Sequence, residues 1–485
     1  MSSVVIDGNA FWKDNSRFYI RGVDYQPGGS SSATTSDPLA DAGACSRDVK
    51  KFVDLGVNTI RVYSVDPSQD HSSCMKTLRD NDIYLILDVN NPYQSINRAE
   101  AECSYNAFYM KNVFDVIDEF AQYDNVFGFF AGNEVINDEK TTGSAKYVKA
   151  VVRDMKKYIK ARSYRTIPVG YSAADIETNR KQQIEYFTCG DDENARVDFW
   201  GHNDYSWCGD SNMQTSGYDN LLEDFKGLPI PIFFSEFGCN SQEDRPFTEI
   251  QAIYSTKMSS VLSGGLVYEY SQEANDYGLV KISSDESSVT ELGSYTNLKQ
   301  QYASVDDPSG DGGASSNNSY PSCPSTSTTW LSDDDLPSTP SGVVDMINNG
   351  AGSIVSVSDL GYTSYKCYST YDYPTGSSNT TTNGTYSYNS TSSGYNSTSN
   401  LISNTSYVTS HQYSLAAQVS YSTLLSTTTS KHSKNTEAGK EKDKSTSSKK
   451  HSETSSSHSV VEGGQIRVAA IPTIFAIAYN FINLL

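Results

Sequence analysis

Eight short apolar runs, separated by helix-length stretches, constrain this fold more than any other feature of the chain. They cover residues 17–24 (RFYIRGVD), 58–65 (NTIRVYSV), 84–89 (YLILDV), 126–134 (VFGFFAGNE), 166–172 (TIPVGYS), 199–205 (FWGHNDY), 230–238 (IPIFFSEFG) and 265–271 (GLVYEYS). Most are continuous in β-branched and aromatic residues, the pattern of strands covered on both faces. The stretches between them are amphipathic. Residues 147–162, for example, set Val148, Val151, Val152, Met155 and Ile159 on one face with Lys and Arg opposite. Eight strands alternating with helices over ~250 residues predict an α/β chain folded as a (β/α)8 TIM barrel. A doubly wound open sheet is the alternative, but no Gly-rich phosphate loop follows the first strand.

Beyond Tyr302 the composition changes. The segment DDPSGDGGASSNNS reads as a linker, and residues 330–357 keep scattered apolar positions. From about residue 369 onward Ser, Thr, Tyr and Asn recur without any period. Such a composition cannot bury enough apolar area to offset its ordering entropy. The expected organisation is a barrel over 1–305, a linker with a small annex tied to it over 306–368, a disordered Ser/Thr/Asn-rich stalk over 369–457 and a terminal signal over 458–485.

Charge and cysteines bound the partners and the compartment. With 58 acidic against 37 basic residues the formal charge is −21, which disfavours nucleic acid and anionic membrane surfaces. Eight cysteines form no CxxC pair and there are only six histidines, so neither a metal site nor a cofactor is expected. Disulfides are the expected use, in an oxidising compartment. The sequons at Asn317, Asn379, Asn383, Asn389, Asn396 and Asn404 agree, since all fall late in the chain. The apolar end, 468–485, follows a polar spacer and the small residues Ser455, Ser456 and Ser457. That order matches a GPI-attachment signal better than a single membrane-spanning helix, with Gly463 a second candidate attachment site. The start, MSSVVIDG, carries no leader, and a truncated beginning is expected.

In a barrel, catalytic side chains project from the C-terminal ends of strands. Polar residues at those ends are Asp24, Tyr25 and Gln26; Tyr63 and Asp66; Asp88 and Asn90; Asn133 and Glu134; Asn203, Asp204 and Tyr205; Glu236; and Tyr268, Glu269 and Tyr270. Two stand out, because Glu134 and Glu236 each close an apolar strand where an unused carboxylate is costly. Their separation of 102 residues, about three βα units of ~30–35 residues, puts them on strands four and seven, facing each other across the barrel mouth. Two carboxyls so placed suit glycoside chemistry, one protonating the leaving oxygen while the other attacks the anomeric carbon.

The strings RFYIRGVDYQPGG (17–29), DPLAD (37–41), NTIRVYSVD (58–66), LILDV (85–89), FFAGNEVIN (129–137), NDYSWCG (203–209) and SEFGCN (235–240) resemble the fungal GPI-anchored β-1,3-glucanosyltransferases of glycoside hydrolase family 72. The resemblance runs from about Val5 to Cys323 and lacks the further Cys-rich carbohydrate-binding module of some members. It implies a retaining transglycosylase that cleaves β-1,3-glucan and passes the new end to a second chain, with Glu134 as acid/base and Glu236 as nucleophile. It also implies subsite roles for Gln26, Tyr63, Asp88, Asn133, Tyr205 and Tyr268. In that picture Asn133 contacts the 2-hydroxyl, Tyr205 holds Glu236, Asp88 and Gln26 meet glucose hydroxyls, and Tyr63 and Tyr268 offer ring faces. Tyr268 against Tyr270 is a question of register. The family's pairings would be Cys74–Cys103, Cys208–Cys239 and Cys189–Cys323, which leaves Cys45 and Cys367 without partners. A retaining endo-β-1,3-glucanase and a catalytically silent glucan-binding wall protein are the alternatives.

Overall fold

The computed structural model describes residues 1–29, 37–242, 244–316 and 319–360. The expected stalk, the terminal signal, all six sequon asparagines and Cys367 lie outside the described residues.

Eight parallel strands close into a barrel: β1 (Ile20–Asp24), β2 (Thr59–Val62), β3 (Tyr84–Asp88), β4 (Val126–Asn133), β5 (Val169–Ala174), β6 (Phe199–Asp204), β7 (Ile232–Phe237) and β8 (Leu262–Val267). Each pairs with its neighbours in chain order, and β8 returns to β1 through Gly264–Ile20 and Val267–Val23. Helices cross between the strands, among them α1 (Ala42–Leu55), α2 (Ser72–Asp80), α3 (Ala107–Phe120) and α4 (Ala145–Ala161). The ends of α1 show why it starts and stops where it does. The Asp41 carboxylate accepts from the N–H groups of Gly43 and Ala44, and Gly56 ends the helix in the left-handed region at φ 75°. In α4 the five apolar residues read from the sequence as one face are all buried.

Strand alternation separates two cores. Phe130, Phe199, Phe233, Ile86 and Leu266 point into the barrel, whereas Trp200, Tyr171 and Phe187 pack between strands and helices. The inner space is tight. A Cβ on Gly201 would fall 2.6 Å from the Ser235 hydroxyl and 2.7 Å from the Phe130 ring, so only glycine fits there.

Three departures from the sequence reading have physical causes. The run 17–24 is not one strand. Its first residues belong to an antiparallel sheet of Val5–Asp7, Ala10–Lys13 and Ser16–Phe18, whose Phe11 and Phe18 join the inner aromatic core. The eighth strand begins earlier than expected, because the small residues Ser263 and Gly264 carry no strand signature yet sit against β1. The fifth begins at Val169 and runs on to Ala174.

Residues 319–360 include Trp330, fully buried with its ring 5.1 Å from Tyr186, and α5 (Ser341–Asn349), which packs against α4 and α3. The Cys189–Cys323 disulfide ties this segment to the barrel, and Cys208–Cys239 joins the loops after β6 and β7. The Cys74–Cys103 pairing is corrected. Cys74 bonds to Cys45, with Cα atoms 5.7 Å apart, because adjacent helices of the outer ring bring the first turn of α2 onto α1. Cys103 is also disulfide-bonded.

Candidate active site

The two acids sit at one end of the barrel and are supported differently. Glu236 lies within β7, in register with Asn203 of β6. Its carboxylate accepts from Arg61 Nη1 at 3.2 Å, the Tyr63 hydroxyl at 2.8 Å and the Tyr205 hydroxyl at 2.7 Å. Glu134 follows β4 with φ at 48°, a conformation that costs a non-glycine residue roughly 1–3 kcal/mol. Its backbone is fastened there, the N–H donating to Ser172 O and the carbonyl accepting from Arg98 Nη2, each at 2.8 Å. Among the described residues its carboxyl accepts one side-chain hydrogen bond, from Asn203 Nδ2 at 2.9 Å.

Asn203 therefore bridges the two strand ends. Its amide nitrogen also reaches Asn133 Oδ1 at 3.2 Å, and its oxygen accepts from the Ser235 and Ser172 hydroxyls at 2.7 and 3.2 Å. Asn133 Oδ1 takes three donors, from Arg61, Ser172 and Asn203, so its Nδ2 remains the group with hydrogen-bonding capacity to offer.

Arg61 organises the floor and is fully buried. It grips Asp88 through both carboxylate oxygens at 2.9 and 2.8 Å, besides its bonds to Glu236 and Asn133. Its guanidinium carbon lies 4.2 Å from the Tyr63 ring centre and 4.8 Å from that of Phe130. The sequence inventory missed Arg61, although one arginine inside an otherwise apolar strand that must be buried on both faces was a signal for buried acidic partners.

Electrostatics follow from burial. Asp24, Asp88, Glu134, Glu236 and Glu269 are all buried, and Arg61 is the cation whose bonds to their side chains are seen among the described residues. Burial raises the Glu134 carboxyl, opposed by the Asn203 amide and the charge of Arg61. Burial also pushes Glu236 up to about 7, against the pull of Arg61; the charge of Glu134 adds to the rise, and the two tyrosine hydroxyls oppose it. The acids titrate as a pair, and the number of donors decides which keeps the shared proton. Three donors on Glu236 against one on Glu134 favour the charged form at Glu236. Burial holds Asp24 well above the usual carboxylate range, and neither of its oxygens accepts a hydrogen bond. Glu269 is pushed up to about 8, chiefly by burial.

The other expected residues surround Glu134 and Glu236. Gln26 is buried, its Oε1 accepting from the N–H groups of Tyr63 and Ser64 while its Nε2 has no partner. Tyr63 presents its hydroxyl to Glu236 as well as its ring to Arg61, a contact the sequence reading did not assign. Asp88, expected to meet sugar hydroxyls, has both oxygens occupied by Arg61. Tyr205, Tyr268 and Tyr277 form edge-to-face contacts, with Tyr63 against Tyr268 at 6.3 Å. Register favours Tyr268 for this cluster, because Tyr270 donates instead to the buried Asp48 at 2.7 Å, beside Tyr25. The loop after β8 reaches its neighbours through Glu273, which accepts from Gly28 N–H, and through Asn240, which donates to Asn275 O.

Paired acids at the mouth of a parallel barrel, one donor-rich and one donor-poor, are the equipment of glycoside chemistry. The family model described as Glucanosyltransferase, of glycoside hydrolase family 72, matches residues 1–306. The chain belongs to this family. It is 59% identical over 355 residues to the 1,3-beta-glucanosyltransferase GAS5 of Saccharomyces cerevisiae, covering 72% of each chain. It is 56% identical over 346 residues to PGA4 of Candida albicans, another 1,3-beta-glucanosyltransferase, covering 71% of this chain and 76% of that one. Among solved structures, S. cerevisiae Gas2 in complex with laminaritriose and laminaritetraose superposes with a TM-score of 0.65 at 41% identity, over 70% of this chain and 77% of that one.

Proposed function

We propose that this protein is a retaining 1,3-β-glucanosyltransferase that cleaves a β-1,3-glucan internally and joins the new end to another glucan. Glu236, ionised, attacks the anomeric carbon, and Glu134 gives its proton to the departing glycosidic oxygen. The glycosyl ester on Glu236 is then attacked by a hydroxyl of a second glucan, whose proton returns to Glu134. Two carboxyls and the sugar's own hydroxyls supply every bond and proton, so the sequence of steps needs no cofactor. Gln26 Nε2 and Asn133 Nδ2 are free to donate to sugar hydroxyls, and the Tyr205–Tyr268–Tyr277 cluster offers ring faces beside them. Asp88 acts through Arg61, by holding the guanidinium against Glu236.

The observation that carries this reading is the asymmetry of donors, three on Glu236 against one on Glu134. Family membership favours transfer over hydrolysis by the same covalent step. The test is incubation with a reduced laminari-oligosaccharide. Products longer than the substrate are expected, and exclusively shorter ones would assign an endoglucanase. Glu236→Gln is expected to abolish turnover while leaving the fold intact.

The site of action we propose is the outer face of the plasma membrane and the cell wall, through a GPI anchor at the C-terminal signal and a glycosylated stalk. The acidic surface charge and the disulfides support an extracellular setting. Endoglycosidase treatment and phospholipase release of the cell-surface protein test it.

A further inference from the structure

Behind the barrel wall, on the face of β6 opposite Asn203, the outward residues His202 and Asp204 meet Asp175, the residue after β5. One donor atom from each of the three lies within 4.8 Å of the others. His202 is 1% exposed, and its Nδ1 makes no hydrogen bond. Its Nε2 stands 3.3 Å from Asp175 Oδ1. A buried imidazole with one nitrogen unsatisfied and the other held only by a long carboxylate contact is costly.

Charge points the same way. Arg180 donates to Asp175 at 2.6 Å and to Asp224 at 3.1 Å, so one guanidinium is shared by two carboxylates. Among the described residues Asp204, 2% exposed, receives only the Ser206 N–H and hydroxyl, both on Oδ1. With the imidazole neutral, the cluster carries two more negative than positive charges. A proton on His202 would cancel only one of them. A divalent cation would cancel both and occupy the idle ring nitrogen.

We propose that Asp175, His202 and Asp204 form a zinc-binding site that locks the end of β5 to the end of β6. Zinc accepts one imidazole and two carboxylates at about 2.0–2.2 Å, with water as a fourth ligand, which sets donor atoms about 3.3–3.5 Å apart. The His202–Asp175 pair is already at that spacing, and an Asp204 oxygen lies within 4.8 Å of both. Magnesium, which prefers an all-oxygen octahedron, is the wrong ion for this donor set. The function of such a site is mechanical. β6 carries Asn203, and Tyr205 follows it, so a clamp behind this strand fixes the residues that hold Glu134 and Glu236. The site lies outside the catalytic pocket, and its existence does not depend on the reaction proposed above.

The test uses full-length protein stripped with EDTA and titrated with zinc chloride by calorimetry, with melting followed in parallel. Expected is one equivalent per chain with a dissociation constant tighter than about 1 μM and a rise in melting temperature that magnesium chloride does not produce. His202→Gln and Asp204→Asn should each weaken binding by more than about 100-fold. Because His202→Gln replaces a buried ring, the isosteric Asp204→Asn keeps the test decisive if the former fails to fold. Absence of stoichiometric binding, or binding of wild-type strength in either folded variant, overturns the proposal.

Discussion

Arg61 holds Asp88 through both of its carboxylate oxygens, at 2.9 and 2.8 Å, and with the same guanidinium reaches Glu236 at 3.2 Å. One planar cation thus fixes the position of one acid and the charge of another. A lysine could satisfy the charge but not the fork.

Arg61→Lys should therefore lower kcat by about 100-fold or more, in line with the loss of a preorganised electrostatic contact. Arg61→Ala should go further and destabilise the fold by about 3–5 kcal/mol, since it strands buried carboxylates. Steady-state kinetics on laminari-oligosaccharides and urea melts of both variants check this; unchanged kcat in the lysine variant would remove Arg61 from the account.

The tyrosine hydroxyls make a prediction with a definite sign. Tyr63 and Tyr205 donate to the ionised form of Glu236, so removing either donor raises the pKa of that carboxyl. Activity needs Glu236 charged and falls as pH drops through that pKa. Tyr205→Phe and Tyr63→Phe should each move the acid limb of kcat/KM to higher pH by about one unit, a hydrogen bond to a charged group being worth about 1.5–3 kcal/mol. A limb that stays put or moves down would contradict the assignment of Glu236 as the ionised acid.

His71 gives the protein a pH-dependent strut. Its Nδ1 meets Glu119 and its Nε2 meets Asp37, each at 3.0 Å, and although burial opposes it these partners raise the imidazole from 6.5 to about 9. A group raised on folding contributes its full stability below its unfolded pKa and loses it as pH climbs through the folded one. Wild-type stability should decline between about pH 6.5 and 9, by on the order of 3 kcal/mol from this group. His71→Gln should be less stable at pH 6 and should lack that part of the slope. Parallel slopes in denaturant titrations would rule the strut out.

Disulfide connectivity is directly checkable. Non-reducing peptide mapping should yield a fragment joining Cys45 to Cys74, and none joining Cys74 to Cys103. Cys45→Ser should lower stability by about 2–4 kcal/mol.

How much of this was legible in the amino-acid order depended on the kind of information each feature carries. The eight barrel strands were readable because strands buried on both faces have no polar alternation to blur them. Glu134 and Glu236 were readable because a carboxylate ending such a strand contradicts its surroundings. Asp24 and Asn203 were visible as strand-end polar residues, but their roles were not, since these depend on partners from other strands. The Cys45–Cys74 bond escaped because spacing cannot rank connectivities. The short N-terminal strands escaped because three or four residues are too few to show a period. The proximity of His202 to Asp175 and Asp204 could not be read from the sequence, because it arises only once β5 and β6 lie side by side.

The antiparallel sheet at the closed end of the barrel also bears on how the chain matures. Phe11 precedes in chain order every one of the rings it packs against, Phe127, Phe199 and Phe233, the last of them more than 200 positions further on. The plug is made before the vessel it seals. A chain that ends before β7 therefore lacks part of the seat for this stopper, because Phe233 comes only with that strand.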